Sequence, residues 1–458
     1  MDMTAIKVTL QRIRSDGITG DHTLWIQENI LRRWGISTHA SINLRFGALK
    51  TVVRVMPLRK PGHIRISDAL ASRMGVMNGL MLRMAYRASQ ATLVLGPVIG
   101  ILVARVIENR PDRLFGNITA WCKEIALACQ QQGAFVYFLT PGGIGSDPSS
   151  VKGWTYAGGW VKGQYPIPDV LHNRLNSRKL ENLVNVQKHF RESKAKHNTQ
   201  VFNEKYLNKT EVFSALSKET TAARYLPESH AVTGLATIKS MCAKHRTVFL
   251  KPVRGSLGIG IIRIKRSVEG GYVCHYSASN GTRTITYPTL ARMVAALTPR
   301  LKRQRFQIQR GLVIASVDHR PLDFRALVQK GLSGTWELTS IVGRIAGPNH
   351  FVSNLAKGGT IAQARAAIAR SNIPSHRKAA VLHELKQAAL TIAKGIDVTI
   401  DAHFGELGID LAVDQSGRVW LLEVNSKPSK HDHTQLSEGR IRPSVKMLVM
   451  YARHLSRL

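Results

Sequence analysis

Acidic residues are scarce in this chain. Asp and Glu number 29 against 65 Lys and Arg, a formal net charge of +36 over 458 residues. A field of that sign attracts anions and acidic surfaces and says nothing about fold. The basic residues run along the whole chain and form no separate arm of the kind used as a nucleic-acid tail. Cysteine is rarer still. Cys122, Cys129, Cys242 and Cys274 form no CxxC pair, and a chain of this size needs no disulfide framework, so reduced, buried thiols are expected. Aromatics make up 6%, and the seven tryptophans lack the regular basic interleaving of a single-strand stacking platform. Long apolar runs are missing too. The uncharged apolar stretch Ala88 to Ala104 falls short of the roughly 20 residues that span a bilayer and is broken by Gly96, Pro97 and Gly100. The first residues, MDMTAIKVTLQRIR, contain no apolar signal region. A soluble cytoplasmic protein is the expectation.

What is present is 44% apolar, enough for a sizeable core, in a length that suits about three domains of roughly 100–200 residues each. Residues 1–88 carry short β-rich runs such as INLRFGALKTVVRVMPL, punctuated by Gly and Pro, and read as a small β-rich domain. Residues 89–180 read as an α/β domain. TLVLGPVIGILVARV suits a central parallel strand, a helix follows over 117–132, and AFVYFLT is the next strand. The prolines of YPIPDVLHNRL favour extended chain there. Residues 181–440 read as an α+β module, with a helix over 376–394 that Gly395 is expected to cap. Residues 441–458 form a C-terminal helix.

Two stretches of the α+β module carry chemistry. TVFLKPVRGSLGIGIIRI is a strand, a Gly-rich loop and a second strand. Glycines let backbone N–H groups approach phosphate oxygens, and Lys251 at the strand end adds a point charge. The loop lacks the GKS/T ending of a P-loop and β follows instead of α, so P-loop and Rossmann readings fail on context. On its own the stretch equally suits a structural hairpin. In GIDLAVDQSGRVWLLEVN, two apolar strands flank a turn at Asp414–Gly417. With Val413 opposite Arg418, Asp410 faces Leu421 and lies diagonal to Glu423, and Asn425 shares that face. Two carboxylates and an amide converging between apolar strands form a hard oxygen set suited to Mg²⁺. The alternative is a solvated hairpin, and the presence of both stretches in one module, in this order, favours the metal-nucleotide reading.

LGPVIGIL at 95–102, YPIPDVLHNRL, YLPES at 225–229, FLKPVRGSLGIGI, RPLDFRALVQ and LLEVNSKPSK together resemble the ATP-grasp superfamily, and within it the endospore coat-associated YheC/YheD-type proteins. The resemblance covers about residues 90–430. It implies an ATP-grasp fold, two α+β subdomains clamping ATP, preceded by an α/β domain and the N-terminal β-rich domain. It also implies ATP and two Mg²⁺ ions. By the same resemblance Lys209 matches the lysine near the α-phosphate, with Lys218 a weaker candidate, and Lys251 matches the second lysine. Ser256 to Gly260, including Gly258, match the loop over the β- and γ-phosphates. Gln309 stands where many of these enzymes have Glu at the adenine hinge, and Gly311 and Leu312 offer backbone groups to adenine. Asp323 and Arg325 match a D-x-R pair, and Arg344, Ser353, Asn354 and Gly358-Gly359 match an R…SN…GG stretch. Asp410, Glu423 and Asn425 match the magnesium ligands.

The implied reaction joins a carboxylate to an amine, less favourably a thiol, through an acylphosphate, with Arg325 and Arg344 as the catalytic cations. The charge balance suggests an acidic peptide or polymer as acceptor. Lys427 and Lys430 are candidates to bind a substrate carboxylate or phosphate, whereas His431 and His433 read as solvated. Two rivals stand beside the ligase: a structural, spore-associated protein that keeps an ATP-binding fold without turnover, and a nucleic-acid-binding protein, for which no motif is present. Substrate identity and oligomeric state are open at this level.

Overall fold

The computed structural model describes residues 5–14, 22–59, 62–145, 147–253, 259–278, 281–347, 358–430 and 440–458. The N-terminal region is a closed seven-stranded barrel of Ile6–Ile13, Thr23–Gln27, Ser41–Phe46, Leu49–Leu58, His63–Ser67, Met81–Arg87 and Thr92–Gly96. It contains a duplicated plan. Thr23–Gln27 runs into helix Glu28–Trp34, and His63–Ser67 runs into helix Asp68–Met74. Both helices end on a left-handed glycine, Gly35 and Gly75, where a side chain would be strained. The pairings interchange in the same way. Ile6–Ile13 lies parallel to His63–Ser67, as Leu49–Leu58 lies parallel to Thr23–Gln27. Alternating apolar residues such as Leu24, Ile26, Ile64 and Ile66 fill the interior.

The apolar run read as one strand is two. Thr92–Gly96 closes the barrel and Val98–Leu102 opens the next sheet. Pro97 has no N–H for a ladder, and Gly96 adopts φ +148°, so the chain changes sheets there. The second sheet runs in the order Trp160–Pro166, Ser150–Tyr156, Phe135–Leu139, Val98–Leu102, Val170–Asn173, Gln200–Phe202. Its four-strand core from Phe135–Leu139 to Gln200–Phe202 is parallel. Helix Thr119–Gln132 buries Trp121, Cys122, Ile125 and Cys129 against it, together with Val445, Leu448 and Val449 of the C-terminal helix Pro443–Ser456. The four cysteines are free and buried, as expected.

Two antiparallel sheets follow. One has the order Ser229–Ala231, Phe306–Arg310, Thr247–Pro252, Ile262–Arg266, Tyr272–Ala278, Gly281–Tyr287, backed by helices Leu235–Lys244 and Leu290–Arg303. The other has the order Thr360–Gln363, Trp336–Ile345, Arg320–Lys330, Glu406–Val413, Val419–Asn425. Helix Ser375–Thr399 packs Val381, Leu385, Ala389 and Ile392 against it. That helix runs through Gly395 instead of ending there. Gly395 is where helix Lys209–Leu216 comes closest, since a Cβ on it would sit 2.8 Å from Leu216 and 3.3 Å from Ala222. The glycine serves close packing, not a C-cap. Among the described residues no helix is long and apolar enough to cross a membrane.

Candidate active site

One cleft of about 1270 Å³ opens between the two antiparallel sheets and the carboxyl ends of the parallel strands. Its metal end is the hairpin of Glu406–Val413 and Val419–Asn425. The turn forms as the sequence implies, with Asp414 N donating to Arg418 O and Gly417 N to Asp414 O at 2.9 Å each. The register differs by one from the expected one. Val413 pairs with Val419, and a bulge between Asp410 and Leu411 then sets Asp410 opposite Glu423 and Gly408 opposite Asn425. The bulge brings the two carboxylates face to face, closer than the diagonal arrangement expected.

Cations surround this pair. Arg325 donates through Nε and Nη2 to both Asp410 oxygens, Nη2 to Oδ2 at 2.8 Å. Arg344 bridges two aspartates, with Nε 2.6 Å from Asp323 Oδ1 and Nη2 3.1 Å from Asp410 Oδ2. Burial alone would raise the Asp410 carboxyl, but Arg325 and Arg344 outweigh it and hold Asp410 below the usual carboxylate range. Lys209 begins helix Lys209–Leu216, whose first turn is capped by Asn208 accepting from Glu211 N at 2.9 Å. Its Nζ donates to Glu423 Oε1 at 3.1 Å.

Lys251 enters from the other sheet. Its strand pairs with Phe306–Arg310, and its Nζ donates to Gln309 Oε1, while Gln309 Nε2 donates to Ser229 Oγ at 3.0 Å. Gln309 was expected at the adenine hinge, and its side-chain oxygen here accepts from the lysine. Burial, then the nearby charge of Lys209, pulls the Lys251 ammonium down to about 8, against the opposing pull of Glu423 and Asp410. The two lysines and the two carboxylates therefore act on one another across the cleft.

The cleft is lined by Lys209, Lys251, Gln309, Gly311, Leu312, Asp323, Arg325, Arg344, Asp410, Glu423 and Asn425, so these residues from distant parts of the chain share one cavity. Lys218 is exposed and lies outside it. Ser256, Gly258, Ser353, Asn354, His431 and His433 lie outside the described residues. Among the described residues no cluster of three His, Cys, Asp or Glu side chains is placed to hold a metal unaided. Asp410, Glu423 and Asn425 supply two carboxylates and one amide. That donor set fits Mg²⁺, which takes its remaining ligands from phosphates and water. The sequence reading did not single out Arg174, Arg178 or Tyr206, which also line the cleft. Arg174 follows the parallel strand Val170–Asn173, and ligands of such sheets bind beyond the carboxyl ends of strands; that signal was available in the YPIPDVLHNRL stretch.

Residues 198–455 match the model of a family described as YheC/D like ATP-grasp. The chain is 28% identical over 340 residues to the endospore coat-associated protein YheD of Bacillus subtilis (strain 168), covering 74% of each chain. It is 23% identical over 329 residues to the endospore coat-associated protein YheC of the same organism, covering 69% of this chain and 86% of that one. Among solved structures it is similar to D-alanyl-alanine synthetase A from Vibrio cholerae O1 biovar eltor str. N16961, with 12% identity and a TM-score of 0.44, covering 79% of this chain and 99% of that one.

Proposed function

Because the chain belongs to the YheC/D-like ATP-grasp family, we propose that it is an ATP-dependent ligase that joins a carboxylate to an amine through an acylphosphate. One observation carries this reading: Lys209, Lys251, Asp410, Glu423 and Asn425 line the same cleft. Phosphoryl transfer needs positioning and neutralisation of spreading negative charge more than a side-chain nucleophile, and this cleft is built of such groups.

In the first step a substrate carboxylate oxygen attacks the γ-phosphorus of ATP. The bond from that phosphorus to the β–γ bridging oxygen breaks, and ADP leaves with the electron pair. In the second step an amine attacks the acyl carbon, the acyl C–O bond breaks, phosphate departs, and the amine loses a proton. Lys209 and Lys251 hold the α- and β-phosphates. Asp410, Glu423 and Asn425 would hold two Mg²⁺ ions, which would supply neutralising charge to the phosphates. Arg325 and Arg344 offer donors to the transferring phosphoryl and to the later oxyanion. Arg325 is the more exposed, with 27% of its side chain open against 13% for Arg344. Arg344, held on two aspartates, keeps Asp410 in place. The net charge of +36 favours an acidic peptide or polymer as acceptor.

The test is carboxylate-dependent ADP release with hydroxylamine present, which traps an acylphosphate as a hydroxamate. Wild type should release ADP and form hydroxamate, and Glu423→Ala should do neither. Equal rates in the two proteins would remove the ligase reading. The names of the relatives favour a second reading, a coat-associated protein without turnover; it predicts nucleotide binding with no ADP release in the same assay.

A further inference from the structure

Beyond the carboxylates of the metal end, the cleft continues into a cationic compartment. Arg174, Arg178, Lys427 and Lys430 line it with Tyr206. Lys427 pairs with Glu181 and Lys430 with Glu406, all four side chains nearly inaccessible. Glu181 is fixed by its neighbours, accepting from Tyr206 N at 2.8 Å and from Asn173 Nδ2 at 2.9 Å. His172 adds no charge near neutrality, because burial lowers it to about 4. The two carboxylates thus neutralise the two lysines, and two guanidinium charges are left over.

Those two are held without carboxylate partners. Among the described residues neither Arg174 nor Arg178 makes an ion pair. Arg178 Nη2 donates to Leu207 O at 2.6 Å and the guanidinium lies over the Tyr206 ring at 5.0 Å. Arg174 is only 8% exposed and lies over the Trp121 ring at 5.9 Å, and among the described residues its Nε and Nη1 have no hydrogen-bond partner. A buried guanidinium with open donors is costly unless an anion meets it. Its planar fork suits bidentate capture of a carboxylate or phosphate.

We propose that this compartment, centred on Arg174, binds a second, non-reacting anionic group of the carboxylate substrate, so that the enzyme selects substrates with an anion at each end. This rests on the ligase reading and names its substrate class. Glu406, which anchors Lys430, and Asp410 lie on one face of strand Glu406–Val413. Four residues of strand rise set them about 13 Å apart. The two ends of the substrate are therefore separated by a spacer, and spacer length matters.

The experiment measures ADP release with MgATP and hydroxylamine for matched acids. Butyrate is compared with glutarate and 4-phosphonobutyrate, and heptanoate with suberate. Each pair shares the reacting end and differs at the far end. Expected is a KM at least tenfold lower for one or more of the two-ended acids than for its matched monoacid. A lead for glutarate or suberate assigns the subsite to carboxylates, and a lead for 4-phosphonobutyrate assigns it to phosphate-type groups. Arg174→Ala should erase the preference and Arg174→Lys retain part of it, with the thermal midpoint read alongside. Equal KM values within each pair in a wild type that turns over would overturn this inference and leave the ligase standing. A wild type that binds MgATP and releases no ADP with any acid would overturn both.

Discussion

Lys209 Nζ lies 3.1 Å from Glu423 Oε1, joining residues 214 positions apart in the chain. The lysine stands at a helix start and the glutamate on the last strand of a sheet. The contact is an ion pair. On the proposed reading MgATP would give both groups other work, the lysine with phosphate and the carboxylate with metal. The pair keeps two charges satisfied in a half-buried cleft until then.

The same logic predicts the stability cost of removing Arg344. Its side chain is 13% exposed and it bridges Asp323 and Asp410. Burial would lower its affinity for the proton, yet the two aspartates raise it above the ordinary arginine value. Arg344→Ala leaves two buried carboxylates short of a partner, which should cost about 3–5 kcal/mol in urea unfolding. The double change Arg344→Met with Asp323→Leu should cost less than Arg344→Ala alone.

Nucleotide affinity should fall as pH rises through about 8. Lys251 is charged below that value and neutral above it. Losing one charged donor to phosphate should weaken MgATP binding about tenfold or more. Lys251→Arg should flatten the profile, since a guanidinium keeps its proton. The nucleotide-free fold moves the other way. Between about pH 8 and the ordinary lysine value of 10.5 the unfolded chain holds the proton and the folded chain does not. Stability contributed by Lys251 therefore rises with pH across that window. Titration calorimetry and unfolding curves over the same range check both signs.

Gly395→Ala tests the close approach of two helices. Alanine would add up to about 1 kcal/mol of helix propensity. Its Cβ would meet Leu216 at 2.8 Å, an overpacking cost of about 1–3 kcal/mol. The net expectation is a modest loss of stability together with weaker MgATP binding, because Leu216 lies on the helix that begins with Lys209. Unchanged or raised stability would show that Leu216 yields freely.

The parts of the site legible in the sequence are those fixed by local pattern. The turn at Asp414–Gly417 is written in its residues, and so is the alternation that puts Glu423 and Asn425 on one face. The bulge beside Asp410 is not, because the residues flanking it, Ile409, Leu411, Leu421 and Leu422, are apolar in either register. The duplicated barrel plan escaped for a related reason. Its halves share apolar alternation and a capping glycine, at Gly35 and Gly75, and little else. The end of the first apolar run at Gly96-Pro97 was legible as punctuation, but only the sheet order reveals that it separates a barrel from an α/β layer. The two unpaired arginines were hidden most deeply. What sets Arg174 apart is a buried guanidinium with two nitrogens that meet no hydrogen-bond partner among the described residues, a property of the folded chain.

The most direct test of the account is equilibrium binding of MgATP to wild type and to Lys209→Ala, Lys251→Ala and Glu423→Ala. The account predicts at least a tenfold loss of affinity in each, with loss of the Mg²⁺ dependence in Glu423→Ala alone. Wild-type affinity retained in Lys251→Ala and Glu423→Ala would mean that the two sheets do not close on one nucleotide, and would contradict it.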